Sequence, residues 1–187
     1  MANEVLLKTG VQFLFADHAT DFGAAPTTTA NSLIIGAPTD VQIDLTGVAA
    51  AGGAREAVKA DLTTPWAGRW AVNACLEFET APADNGTVEF YWGASPSATA
   101  GTGNPGVLTG ADAAITDTVG NLGQLQLIGV LTLKATVINI GFVGVVSPIF
   151  QYGGLVIVNR GSTALRSTAT AMDETHVVMT EIIDEIQ

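Results

Sequence analysis

From Asp40 to Thr46 the chain reads Asp-Val-Gln-Ile-Asp-Leu-Thr, so in an extended backbone Val41, Ile43 and Leu45 project to one side and the polar residues to the other. The same period of two recurs from Trp70 to Glu79. There Trp70, Val72, Ala74, Leu76 and Phe78 alternate with Ala71, Asn73, Cys75, Glu77 and Glu79. In Thr87–Trp92 it places Val88, Phe90 and Trp92 on one face. The run from Gln124 to Leu133 begins with the same alternation and then becomes apolar on both sides. No window sustains a stripe of period 3.6, and Gly, Pro, Thr and Asn interrupt the chain at short intervals. Short alternating runs between such breakers predict an all-β protein, an antiparallel β-sandwich or barrel, rather than a helical one. The segment Thr175–Ile186 reads as a last strand or an acidic amphipathic helix, and a strand ending near Ile183 is the preferred reading.

Two runs are apolar on both faces, Val137–Val146 and Leu155–Val158. Such a strand must be covered on both sides, and the sequence leaves two covers open: another subunit, or a loop or short helix of the same chain. The interface candidates are therefore Val137, Ile138, Ile140, Phe142, Val145, Ile149 and Phe150. Trp66 and Tyr91 join them, since exposed aromatics suit either a protein interface or a sugar. The stretch Ser95–Thr118 contains Gly101, Gly103, Pro105, Gly106 and Gly110 and no strand-like run, a length that calls for packing or function. A helical turn over Pro96–Ala100, capped by Ser95, is predicted within it. Further irregular stretches span Gly23–Asn31 and Gly47–Ala54. Residues 1–9 have no evident partner strand and read as an extended N-terminal arm on a single sandwich domain, 10–187.

Composition narrows the picture. In 187 residues there are 7 Lys and Arg against 18 Asp and Glu, a net charge of −11, with a mean hydropathy of +0.38. Charged residues make up 13%, about half the usual ~25%. This excludes a disordered chain and argues against nucleic acid as a partner. Cys75 is the only cysteine, which excludes a disulfide scaffold. The opening residues lack a cationic stretch followed by an apolar run, so no secretory signal is expected. The most apolar run, Val137–Phe150, is interrupted by Asn139 and Pro148 and falls short of the roughly 20 residues of a spanning helix, so no membrane partner is expected.

Candidate chemistry thins out under the same scrutiny. Gly101-x-Gly103-x-x-Gly106 matches a dinucleotide fingerprint in letters only, because Pro105 precedes the third glycine and no strand–turn–helix surrounds it. Asp17, Asp21 and His18 lie close together and His176 sits in the last strand, but no nucleophile elbow is present, and both histidines read as surface residues. One cysteine and two distant histidines cannot build a zinc site. Asp40, Asp44, Asp84, Asp112 and Asp117 could offer oxygen ligands to calcium, although Asp84-Asn85-Gly86 is first of all a tight turn. Glu77, Glu79 and Glu89 read as a solvated outer face rather than paired acids across a cleft. No catalytic residue, cofactor or metal is expected.

Three stretches carry a resemblance: Glu89–Ser97 running into Gly103-Asn104-Pro105-Gly106; Leu125–Gly129; and Gly141–Gly144 with Tyr152–Asn159. Together they resemble a group of small proteins encoded among the virion structural genes of tailed bacteriophages. The resemblance implies a jelly-roll-like sandwich and a non-enzymatic structural role, best fitted by the capsid-decorating (cement) type. It implies the major capsid protein and further copies of the chain, as dimer or trimer, as partners. The location implied is the capsid surface, after synthesis in the host cytoplasm. The negative charge suits the outside of a shell. The competing expectation is a carbohydrate- or receptor-binding sandwich of a tail or fibre, with Trp66 and Tyr91 as its contact.

Overall fold

The structure is a computed structural model that describes residues 10–20, 22, 28–63, 68–116, 120–167 and 174–183. Among these, the regular elements are eleven strands and one 3₁₀ turn over Leu122–Gln124. The strands are β1 (Gln12–Ala16), β2 (Thr39–Gln42), β3 (Gly53–Glu56), β4 (Ala60–Asp61), β5 (Trp70–Glu77) and β6 (Thr87–Ser95). They continue with β7 (Ala113–Ile115), β8 (Gln126–Thr132), β9 (Ile138–Val146), β10 (Tyr152–Asn159) and β11 (His176–Glu181). The protein is all-β, as the alternation requires. The strand order is β2-β1-β11-β5-β9-β8-β6-β10-β3-β7, with β4 on β10. Every pairing is antiparallel except that of β1 with β2, which is parallel. The expected purely antiparallel sheet is thus a mixed one.

This single sheet curls over its own apolar side. Phe13 and Phe15 of β1, Val177 and Met179 of β11, and Trp70, Val72, Ala74 and Leu76 of β5 share one core with Val88, Phe90 and Trp92 of β6 and Leu155 and Ile157 of β10. The jelly-roll-like arrangement follows from that closure. The two halves of the sheet join where β8 meets β9, at the pair Gly129↔Gly144. A Cβ at Gly129 would run into the Val143 carbonyl oxygen, and one at Gly144 into that of Ile128. Only glycines let the strands approach so closely at the fold.

Parity along the strands agrees with the sequence pattern: Val41, Ile43 and Leu45 are buried, and so are Trp70 through Phe78 on alternate positions. The last strand ends at Glu181, close to the expected Ile183. Pro96–Ala100 forms bends and a turn, not the expected helical turn. Lys59 explains why, since it engages the backbone carbonyls of Ser97, Thr99 and Thr102. Asn85, at the centre of the Asp84-Asn85-Gly86 turn, has φ of 65°, as turn chemistry demands. The arm over residues 1–9 lies outside the described residues.

Candidate functional site

The curled sheet has an outer side as well as a core side, and three parts of that outer side are apolar. The first belongs to β1 and β11. Leu14, Ala16 and Val178 point outward and are covered by Phe22, Leu33 and Ile34. Side chains fasten this cover. The Gln12 amide donates to the Leu33 carbonyl at 3.2 Å and accepts from the Ile35 N–H at 2.8 Å. His176 Nε2 accepts from the Leu33 N–H at 3.2 Å, and its Nδ1–H donates to the Glu174 carbonyl at 2.7 Å. The Glu174 carboxylate in turn accepts from Asn31 and Thr28. His176 is fully buried, which corrects the expectation of a surface histidine. Burial holds its pKa below the ordinary value, against the opposing pull of the Glu174 carbonyl and carboxylate.

The second apolar region belongs to β10 and β3. Val156, Val158 and Ala54 cluster with their sheet neighbours Tyr91 and Ile115 and with Leu108, Leu122 and Leu125 from the connecting segments. The long glycine-rich stretch is therefore a packed lid, and two charged residues bind it down. Glu56 accepts from the Thr109 N–H and hydroxyl at 2.8 and 2.6 Å and from the Gly110 N–H at 3.2 Å. Lys59 Nζ lies 2.9 Å from Ser95 Oγ and 2.7 to 2.9 Å from the carbonyls of Ser97, Thr99 and Thr102. Burial lowers the Lys59 pKa, with the Glu56 charge working the other way. Gly101, Gly103 and Gly106 take positive φ inside this lid, so the fingerprint-like glycines are turn residues here.

The third region, on β8 and β9, has no such cover among the described residues. Leu127 and Val130 on β8 and Ile140, Phe142 and Val145 on β9 are exposed, Phe142 at 61% and Leu127 at 53%. Val137 before β9 and Ile149 and Phe150 after it are exposed too, Ile149 at 72%, while Ile138 is half-buried. Seven of the nine interface candidates therefore lie on β9 or in the segments that flank it. Tyr91 does not: it is half-buried under the lid, and its hydroxyl donates to Glu89 at 3.0 Å. Trp66 lies outside the described residues. Leu127 and Val130 escaped the sequence reading because their run starts with ordinary alternation.

No ionisable side chain stands on β8 or β9. The carboxylates beside them are already engaged. Glu89, opposite Val130, pairs with Arg160 at 3.1 Å, and Glu77, opposite Ile138, pairs with Arg166. Glu77 is buried, which corrects its assignment to a solvated face, and Glu79 accepts from Ser167. Next to the end of β8 lies a pocket of about 540 Å³, lined by Trp92, Asn104, Pro105, Gln124, Gln126 and Phe150 among others, again without a charge.

Other candidates resolve into structure. Arg55 donates to Asp112 at 2.6 Å and pairs with Asp44 at 3.2 Å, so a guanidinium holds the place a cation would take. Gln42 ties Asp112 to Asp17. Burial pushes the Asp17 carboxyl up, but hydrogen bonds from Thr20, Gln42 and the backbone outweigh it and hold it low. Asp40 faces His18 at 3.7 Å; Asp21 and Asp117 lie outside the described residues. No group of three or more His, Cys, Asp or Glu suited to a metal occurs among the described residues. The Cys75 thiol, buried and near the charges of Glu174 and Glu77, is pushed up to about 12, far from a reactive thiolate. No helix among the described residues is long and apolar enough to cross a membrane. The chain matches no protein-family model, and searches of curated proteins and of solved structures found no match either.

Proposed function

We propose that this chain is a non-enzymatic structural subunit that works in contact with neighbouring subunits, as a decoration protein on the outside of a tailed-phage capsid. The observation that carries the reading is the charge-free apolar side of β8 and β9, which no described residue covers, in a protein that covers its two other outer apolar regions itself. Phe142 and Leu127 are more than half exposed there, and clustered exposed apolar side chains mark interaction surfaces. The long loops packed as lids give a rigid body, which a brace spanning capsomers needs. The net charge of −11 suits the exterior of a shell filled with nucleic acid. On this reading the partners are the major capsid protein and further copies of the chain.

A saccharide-binding role draws less support. Of its expected contact, Trp66 lies outside the described residues, and Tyr91 is half-buried with its hydroxyl donating to Glu89. The test is to image particles assembled from the genome that encodes this chain. Density of its size on the outer capsid surface, with the chain found in purified particles, is the expected result. Particles that lack the chain, or carry it at a tail tip alone, overturn the proposal.

A further inference from the structure

A cavity of about 540 Å³ opens at one end of the curled sheet, where β6 ends, β8 begins and β9 has just ended. Its size falls in the ~300–1,000 Å³ range of small-molecule sites, and the mouths of curled sheets are common places for them. Trp92 forms its floor, fully buried in the core, and the Trp92 indole N–H has no acceptor among the described residues. Three anchored walls rise from it. Asn104 stands on the lid, just past the Thr102 carbonyl that accepts from Lys59 at 2.7 Å. Its amide N–H donates to the Leu108 carbonyl at 3.1 Å, which leaves its own carbonyl oxygen as an acceptor. Gln124 and Gln126 flank Leu125, which packs with the lid. Ser147 and Phe150 come from the connection between β9 and β10, which Gln151 fastens. The Gln151 carbonyl accepts from the Leu62 N–H at 2.9 Å, and its amide donates to Asp61 at 2.8 Å. The fold therefore builds the cavity before anything enters it.

The lining selects its ligand by what it offers. No charged side chain lines the cavity, so a cation finds no carboxylate there, and a chain of net charge −11 repels anions. A purely apolar ligand would strand three side-chain amides and a hydroxyl away from water. Side-chain amides both donate and accept, as hydroxyl groups do. Phe150, 39% exposed, offers a ring to the C–H face of a pyranose. We propose that this cavity binds a neutral mono- or disaccharide unit, with Asn104, Gln124, Gln126 and Ser147 on its hydroxyls and Phe150 against its ring. This activity is additional to the structural role and does not depend on it. The site is also distinct from Tyr91, which packs with the lid leucines on the other side of β6.

Two-dimensional NMR of the full chain, titrated with glucose, galactose, mannose, N-acetylglucosamine, maltose and lactose, tests this. The signals to follow are the Trp92 indole N–H and the side-chain amides of Gln124 and Gln126. At least one of these sugars should shift all of them saturably, with a dissociation constant in the millimolar range, and glycerol at the same concentrations should not. Gln126→Leu should weaken that binding about 5–10-fold, the scale of one or two neutral hydrogen bonds. Phe150→Ala is the second variant should Gln126→Leu lower the yield of folded protein, and it should weaken binding in the same direction. Leu127→Thr, the next residue but on the opposite side of β8, should leave binding unchanged. No saturable shift with any of these sugars, an equal response to glycerol, or binding indifferent to both cavity variants overturns the saccharide site. Absence of the chain from particles overturns the capsid reading instead and leaves the cavity standing, so the two failures are told apart.

Discussion

The outer sides of β10 and β9 make the instructive comparison. Both strands are apolar on both faces, Leu155–Val158 in one and Val137–Val146 around the other. Over β10 the chain lays its own lid, closed by Leu108, Leu122 and Leu125 and fastened by Glu56 and Lys59. Over β9, and β8 beside it, Phe142 and Leu127 stand in solvent. Of the covers weighed for such strands, β10 uses a loop of its own chain, while over β9 the described residues place none, the position our proposal gives to a neighbour. An apolar strand alone does not announce an interface, since β10 is as apolar as β9 and is covered from within.

Charge placed on each outer surface separates the two most sharply. Val156→Asp, under the lid, buries an unpaired carboxylate and should cost at least ~4 kcal/mol or prevent folding. Urea unfolding monitored by tryptophan fluorescence checks it. Gly144→Val, at the seam that joins the halves, drives side-chain atoms into the Ile128 carbonyl and should cost about 3 kcal/mol by the same assay.

Lys59→Ala removes the ammonium that gathers four oxygens of the lid and should cost about 1–2 kcal/mol. Amide exchange should quicken at Gly101, whose N–H is hydrogen-bonded to the Thr109 carbonyl inside the lid, while β1 and β11 keep their protection. Equal quickening in both places would mean that the lid is not a separate unit.

Acid should loosen the other self-made cover. Neutral His176 uses one ring nitrogen to accept from Leu33 and the other to donate to Glu174, and the protonated ring cannot accept. Because its pKa is lowered in the folded chain, the unfolded chain takes the proton first. Stability from this group is whole above about 6.5, the ordinary value. It declines as pH drops below that, until the folded ring itself titrates. His176→Gln should flatten that part of the stability–pH curve, and an unchanged curve would remove His176 from the account. The smallest effect belongs to the open surface: Phe142→Asp, measured on the dissociated chain at low concentration, should shift monomer stability by no more than ~0.5 kcal/mol.

How much of this was readable beforehand follows the range of the forces involved. Alternation is local, so the inward parity of Val41, Ile43 and Leu45 and of Trp70 through Phe78 was plain from the chain. What lies over a strand is not local. Leu33 reaches His176 across 143 positions, and Arg166 reaches Glu77 across 89, so a histidine and a glutamate that looked solvated are buried. Asp44 and Asp112 looked like cation ligands because the sequence does not show Arg55 folding between them. Seven candidates were named from Val137 to Phe150 because apolar residues crowd that run, and six of them are exposed. Leu127 and Val130 were missed because only their position beside β9 gives them meaning.

Hydroxyl-radical footprinting of the intact protein, read at Phe142, Leu127 and Ile149 across a dilution series, goes to the centre of the account. Those three side chains should be shielded at high concentration and become reactive on dilution, while Leu108 and Leu122 under the lid stay unchanged throughout. Equal and rapid oxidation of Phe142, Leu127 and Ile149 at every concentration, and on any particle that carries the chain, would contradict it.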